Sequence, residues 1–106
     1  MNDLRLLYEY DKDRKIINLE YKQITSLEPL IPILSKFENL ESLSLNGNRL
    51  KSLPSMETFL NLAEIDLSSN LFNDIKFSIK GLKSLPALRH LIYTFKNDDE
   101  EEELKN

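Results

Sequence analysis

The stretch LESLSLNGNRLKSL, residues 40–53, is the clearest indication of the fold of this 106-residue chain. Leucine stands at its first, fourth, sixth, eleventh and fourteenth positions, and Asn48 stands at the ninth. The following stretch LAEIDLSSNLFNDI, residues 62–75, has apolar residues at the same positions and Asn70 at the ninth. Two neighbouring segments that share both composition and spacing are the signature of a repeat architecture.

Weaker copies of this pattern lie on either side of the two strong ones. They are RKIINLEYKQITSL at residues 14–27 and LRHLIYTFK at residues 88–96, with Lys22 and Lys96 in place of the asparagine. The residues at the fourth repeat position are Ile17, Leu43, Ile65 and Leu91. Their spacings of 26, 22 and 26 residues predict about four stacked repeats of one supersecondary unit.

These residues resemble the leucine-rich-repeat family, whose core pattern LxxLxLxxNxL is complete in residues 40–50 and nearly complete in residues 62–72. The resemblance covers about residues 14–95. It implies an α/β solenoid, with a short parallel β-sheet on the concave side and short helices or turns on the convex side. Residues 1–13 are then expected to form an N-terminal cap, and residues 96–106 an acidic, disordered tail.

The absence of cysteine and the short repeats make the chain similar to the intracellular branch of this family. That branch includes a regulatory subunit of protein phosphatase-one, an axonemal dynein light chain and the acidic nuclear leucine-rich phosphoproteins. All of these bind proteins rather than transform substrates. The resemblance therefore implies a protein-binding scaffold.

The physical pattern supports the same architecture without the family. Around each fourth position apolar residues alternate with others, which predicts short strands, and strands that run parallel need connections of a dozen or more residues. Leu27, Leu30, Leu34 and Phe37 recur near helical spacing, and Pro29 suits a first helical turn. Buried return segments are also expected from two later sets of residues: Met56, Phe59 and Leu60 after Pro54, and Ile79, Leu82 and Leu85 before Pro86.

The asparagines fall where the chain turns away from each strand. There the side-chain amides of Asn48 and Asn70 can hydrogen-bond backbone groups of adjacent turns, which predicts a structural asparagine ladder. Gly47 in the sequence NGN permits a tight turn. A phosphate-binding loop would require more glycines before a helix.

The candidate binding surface follows from the alternation of side chains along a strand. If the fourth and sixth positions point inward, the third, fifth and seventh point outward onto the concave face, which repeat proteins use for binding. These residues are Ile16, Asn18, Glu20, Ser42, Ser44, Asn46, Glu64, Asp66, Ser68, His90, Ile92 and Thr94. We expect a shallow, mildly acidic surface for a protein or peptide that carries Lys or Arg. The alternative is a solvated face with no partner.

Composition limits the other classes of function. The net charge is −4 with the basic residues scattered, which disfavours nucleic-acid binding. Asp3, Arg5 and Glu9 interrupt the first segment, which therefore lacks the apolar core of a signal peptide, and no apolar run is long enough to span a membrane. With no cysteine, a cytoplasmic or nuclear location is expected.

No enzymatic site is predicted. His90 is the single histidine, and the chain contains neither GxSxG nor HExxH. Glu64 and Asp66 share one predicted face, but acid–base catalysis needs a pocket that separates their pKa values. We therefore expect no catalytic residue, metal site or cofactor.

Two alternatives place function elsewhere. The last repeat has a strand at residues 91–93 without an evident apolar return, which predicts an open edge at residues 88–95. Through this edge the chain could self-associate, or serve as the end piece of a larger repeat protein or as a structural subunit of a cytoskeletal or axonemal complex. The block DDEEEE at residues 98–103 could attract a histone tail or another basic protein.

Overall fold

The structure, a computed structural model, describes residues 2–72 and 80–93. Helix α1, Asn2–Tyr10, precedes four short strands: β1 Ile16–Asn18, β2 Ser42–Ser44, β3 Glu64–Asp66 and β4 His90–Ile92. The strands form one sheet in the order β1-β2-β3-β4, and every neighbouring pair is parallel. The parallel sheet predicted from the repeats is confirmed.

The register of the sheet follows the repeat. The fourth-position residues Ile17, Leu43, Ile65 and Leu91 are aligned across it. The first three are buried, as expected from the alternation. Leu91 is different, because its side chain is 41% exposed. It lies in an edge strand, and within the described residues no further strand pairs beyond β4 to cover it.

The first return segment is helical. A 3₁₀ helix, Glu28–Leu30, runs directly into helix α2, Ile31–Leu34. Pro29 and Pro32 each occupy an early helical position, where the missing N–H costs no hydrogen bond. The predicted apolar stripe of Leu27, Leu30, Leu34 and Phe37 is buried.

The later returns are more irregular. Between β2 and β3 the chain contains turns without a helix, and Met56 and Phe59 are buried while Leu60 is 67% exposed. The prediction for Leu60 was therefore wrong, since Phe59 already fills the inward direction at that turn. Before β4 a second 3₁₀ helix, Lys80–Ser84, carries the buried Leu82. Leu85 is also buried, and Ile79 lies outside the described residues.

Gly81 allows these two returns to touch. A side chain at this position would run into the backbone carbonyl of Pro54. Ser84 also joins the two returns. Its hydroxyl donates to the Gly81 carbonyl at 2.7 Å and accepts from the Met56 N–H at 3.3 Å. Glycine is needed at this point because backbone approaches backbone.

Helix α1 lies against the first repeat. Leu4 is buried in the core, and the ring of Tyr8 packs edge-on against Phe37 with centroids 5.3 Å apart. Leu6 and Tyr10, one helical turn apart, are exposed. One contiguous apolar cluster extends from Leu4 to Leu85. The result is a small α/β domain that is compatible with a leucine-rich-repeat fold.

Candidate functional site

The turns that follow the strands are held by the two asparagines. The Asn48 side-chain oxygen accepts from the backbone N–H groups of Lys22 and Ile24, each at 3.0 Å. Its amide nitrogen donates to the carbonyls of Leu19 and Leu45, each at 2.9 Å. A single buried side chain therefore makes four hydrogen bonds and joins the first repeat to the second.

Asn70 repeats this arrangement one repeat later. Its oxygen accepts from the Leu50 N–H at 2.9 Å, and its nitrogen donates to the carbonyl of Leu45 at 3.0 Å and to that of Leu67 at 3.1 Å. Both asparagines bond backwards, to the repeat that precedes them. Lys22 has the corresponding position in the first repeat, where it contributes only a backbone N–H to Asn48.

The outward face of the sheet carries the predicted binding residues in rows across the strands. The first row is Ile16, Ser42, Glu64 and His90, and the second is Asn18, Ser44, Asp66 and Ile92. Glu20, Asn46 and Ser68 form a third row, because backbone bonds from Tyr21 to Asn46 and from Gly47 to Ser68 extend the ladder. Thr94, the last predicted member, lies outside the described residues.

Most of this face is open, with one exception. The first two rows are exposed or half-buried, as are Glu20 and Asn46. Ser68 is only 7% exposed, so it offers almost no surface to a partner. It is buried because the turn closes around it: its N–H donates to the Asp66 carboxylate, and its carbonyl accepts from Gly47 and Asn70.

Two residues of the second row also stabilise the strand ends. The Asn18 Oδ1 accepts from the Glu20 N–H at 2.8 Å, and the Asp66 Oδ1 accepts from the Ser68 N–H at 2.9 Å. In both cases a side-chain oxygen accepts from the N–H two residues later, which closes a local turn that Asn and Asp form readily. Sequence reasoning placed both residues on the binding face without recognising this second role.

Ser44, the middle residue of that row, reaches across the repeats. Its hydroxyl donates to Glu20 Oε1 at 2.9 Å. This bond holds the Glu20 carboxylate over the second repeat. Glu20 is therefore a positioned acidic group and not a freely rotating one.

The eighth repeat position adopts left-handed backbone geometry in each of the first three repeats. The φ angles are +54° at Tyr21, +75° at Gly47 and +55° at Ser69. This conformation costs a non-glycine residue about 1–2 kcal/mol. The glycine in NGN indicated the turn, but the sequence did not show that a tyrosine and a serine are held in the same geometry.

Tyr21 belongs to the same surface, although it was not among the predicted residues. Its ring lies over Gly47, so that a side chain on Gly47 would collide with it. Its hydroxyl also receives a long hydrogen bond of 3.4 Å from the Asn46 amide. The residue is nevertheless 70% exposed. The available sequence signal was the alignment of an aromatic residue with glycine at the same position of successive repeats.

The charge on this face is acidic. Glu20, Glu64 and Asp66 contribute carboxylates, and no lysine or arginine occurs among its residues. His90 is the register neighbour of Glu64 and is exposed. A cationic partner is thus the electrostatic complement of this surface.

The described residues contain no group of three or more side chains suited to bind a metal ion. Glu64 and Asp66 stand on an open sheet face.

A groove of about 410 Å³ lies away from the sheet face, between the first and second return segments. In this groove the hydroxyls of Ser35 and Thr58 bond to each other at 2.8 Å. In the described ranges, no helix combines the length and apolar character needed to cross a bilayer.

The acidic block at residues 98–103 and most of the predicted edge region beyond Tyr93 lie outside the described residues. The alternatives that depend on them stay predictions. The edge strand β4 itself is described, with Leu91 and Ile92 each 41% exposed.

Comparison with known proteins gives a partial similarity. The chain is 30% identical over 97 residues to the leucine-rich repeat and WD repeat-containing protein 1 of Danio rerio. The match covers 71% of this chain but only 13% of that protein. No family model matches the sequence. The similarity supports the resemblance to leucine-rich repeats at a coarse level, and a repeat-containing relative suggests a role in protein interaction.

Proposed function

We propose that this chain is a leucine-rich-repeat solenoid module that binds a protein or peptide on the concave face of its sheet, without catalysing a reaction. The observation that carries the proposal is the difference between the two faces. One face is buried in the apolar cluster, whereas the other presents three carboxylates and no lysine or arginine. The cytoplasm or nucleus is the proposed location for a cysteine-free chain of this kind.

A protein partner fits the shape of this surface better than a small molecule does. Small ligands bind in concave pockets that bury most of their area. Here Ser42 and Ser44 leave the middle of the sheet shallow, while Ile16 and Ile92 expose apolar area near opposite ends. Carboxylates would steer a basic partner to this face, and the isoleucines would contribute the slow dissociation.

The test is affinity capture with crosslinking, which compares the wild type with a double variant, Glu64→Lys plus Asp66→Asn. Asparagine is used at residue 66 because it retains the oxygen that accepts from the Ser68 N–H, as Asn18 does in the first repeat. We expect the folded variant to lose the partner that the wild type retains.

A matched control is Glu38→Lys plus Glu57→Gln. It changes the net charge by the same amount at two exposed residues of the return segments. Retention of the partner by this control and its loss from the concave variant would support the proposal. Equal retention by both variants would exclude the concave face as the binding surface.

Self-association through β4 is a second candidate. Leu91 and Ile92 are each 41% exposed, and exposed apolar edge strands pair readily with other chains. Sedimentation velocity over a range of concentrations tests this candidate. A wild-type dimer that Ile92→Lys converts to monomer is expected, and a monomer at high concentration would rule the candidate out.

A further inference from the structure

We propose that Glu20, Tyr21 and Asn46 form a subsite for the arginine side chain of a partner, at the end of the concave face where the strands exit. This inference rests on the proposed function, because the subsite belongs to the same binding face. It adds the chemical identity of one recognised group and a residue, Tyr21, outside the rows of the sheet.

The carboxylate of this subsite is held in place. Ser44 donates to Glu20 Oε1 at 2.9 Å, and within the described residues Glu20 takes part in no ion pair. The hydrogen bond from the Glu20 N–H to Asn18 fixes the backbone beneath it. The second carboxylate oxygen can therefore accept from a donor of the partner without rearrangement of the turn.

The aromatic ring is also held in place. Tyr21 keeps a left-handed backbone at φ +54°, which a tyrosine adopts only where surrounding contacts maintain it. One side of its ring lies over Gly47, where no side chain intervenes, and the residue is still 70% exposed. A large aromatic surface that is already ordered before binding loses little entropy when a partner covers it.

The two groups lie beside each other. Glu20 and Tyr21 are consecutive, and both side chains reach across to residues 44–47 of the second repeat. A guanidinium is planar and weakly hydrated, so it can stack on an aromatic face while one edge donates to a carboxylate. The Asn46 side-chain oxygen offers a further acceptor beside the ring. An ammonium group is more compact and more strongly hydrated, and it uses the ring face less well.

The experiment is an NMR titration of the ¹⁵N-labelled 106-residue chain with Nα-acetyl-arginine methylamide, followed by the same titration with Nα-acetyl-citrulline methylamide. Citrulline has nearly the same shape but no charge. We expect saturable shifts at the amides of Tyr21 and Asn46 with the arginine probe and no saturable shifts with citrulline. In Glu20→Gln and in Tyr21→Gly, arginine binding should weaken by about threefold or more.

Tyr21→Gly removes the ring while it favours the backbone conformation that the fold requires. Its matched control is Ser69→Gly, which makes the same type of change at the equivalent position of the third repeat. This control should bind arginine like the wild type. A thermal melt of each variant by circular dichroism shows that it is folded.

Three results would overturn the arginine subsite. They are no saturable shift with the arginine probe, unchanged arginine binding by folded Tyr21→Gly, and equally tight binding of Nα-acetyl-lysine methylamide, which keeps its ε-ammonium group. The wider proposal is judged separately, since the variant at residues 64 and 66 leaves Glu20 and Tyr21 intact. Partner loss in that variant together with unchanged arginine binding by Tyr21→Gly would retain the concave face and reject the subsite.

Discussion

Asn48 connects the first two repeats through the hydrogen bonds of its side chain. Its four hydrogen bonds satisfy backbone groups that the turn takes out of the sheet ladder. A buried backbone donor or acceptor that loses its partner costs about 1–3 kcal/mol. The asparagine therefore stabilises the turn because it both donates and accepts, which neither aspartate nor leucine of similar size can do.

Replacing Asn48 should destabilise the protein markedly. Asn48→Ala is expected to lower the free energy of unfolding by about 2 kcal/mol or more, because it leaves several buried backbone groups without a partner. Asn48→Asp should cost at least as much, since a second oxygen would face the Leu19 and Leu45 carbonyls. Urea denaturation followed by circular dichroism measures both changes.

The neighbouring Arg49 provides the control for these variants. Arg49 is exposed, and its bond to the Ile24 carbonyl is donated by its backbone N–H, which alanine would retain. Arg49→Ala should change stability by no more than about 0.5 kcal/mol. An Asn48→Ala variant as stable as Arg49→Ala would show that water replaces the asparagine amide at no cost.

Among the elements, helix α1 closes the core at the N-terminal side. Leu4 is 2% exposed, and Leu7 and Tyr8 pack against the apolar cluster. Lys36 from the first return lies 5.8 Å from the centre of the Tyr8 ring, which adds a cation–π contact to the edge-on packing against Phe37. The helix is nine residues long, so its stability depends on this packing.

Substitutions on the buried and exposed sides of α1 should differ in how much they lower the free energy of unfolding. Leu4→Ala is expected to cost roughly 2–4 kcal/mol, the usual loss for a leucine removed from a packed core. Leu6→Ala changes an exposed residue on the same helix and should stay within about 0.5 kcal/mol of the wild type. Thermal and urea denaturation test the pair, and equal costs would mean that α1 does not pack on the first repeat.

At the scale of the whole molecule, the two edges of the sheet are unequal. At one edge, Ile17 of β1 and Leu19, the first residue after β1, are both buried. All three residues of β4 are exposed. In a repeat array each unit is stabilised chiefly by its neighbours, so the less covered end should open first.

Hydrogen exchange should report this difference. The Leu19 N–H donates to the Ser44 carbonyl at 2.9 Å, and the His90 N–H donates to the Ala63 carbonyl at 3.0 Å. Despite similar bonds, we expect the His90 amide to exchange at least about tenfold faster, because local opening of β4 exposes little buried apolar area. Native-state exchange by NMR measures both amides, and equal rates would indicate that the two ends are equally stable.

The repeat pattern was enough to predict four parallel strands, their register and the inward residues of the first three. It could do so because apolar spacing is a local property, and each repeat must bury its stripe against the next. The same spacing was wrong for Leu60 and for the burial of Leu91, where the direction of a turn and the position at a sheet edge outweigh the pattern.

Contacts between the repeats set which side chains of the concave face are accessible, and the sequence pattern does not show these contacts. Ser68 is enclosed by its own turn, Glu20 is positioned by a serine 24 residues away, and Tyr21 lies over the glycine of the next repeat. Helix α1 was also not predicted, because the sequence indicated only that residues 1–13 form an N-terminal cap. Hydrogen bonds and ring contacts between repeats depend on how successive turns stack, and the spacing within one repeat does not determine that geometry.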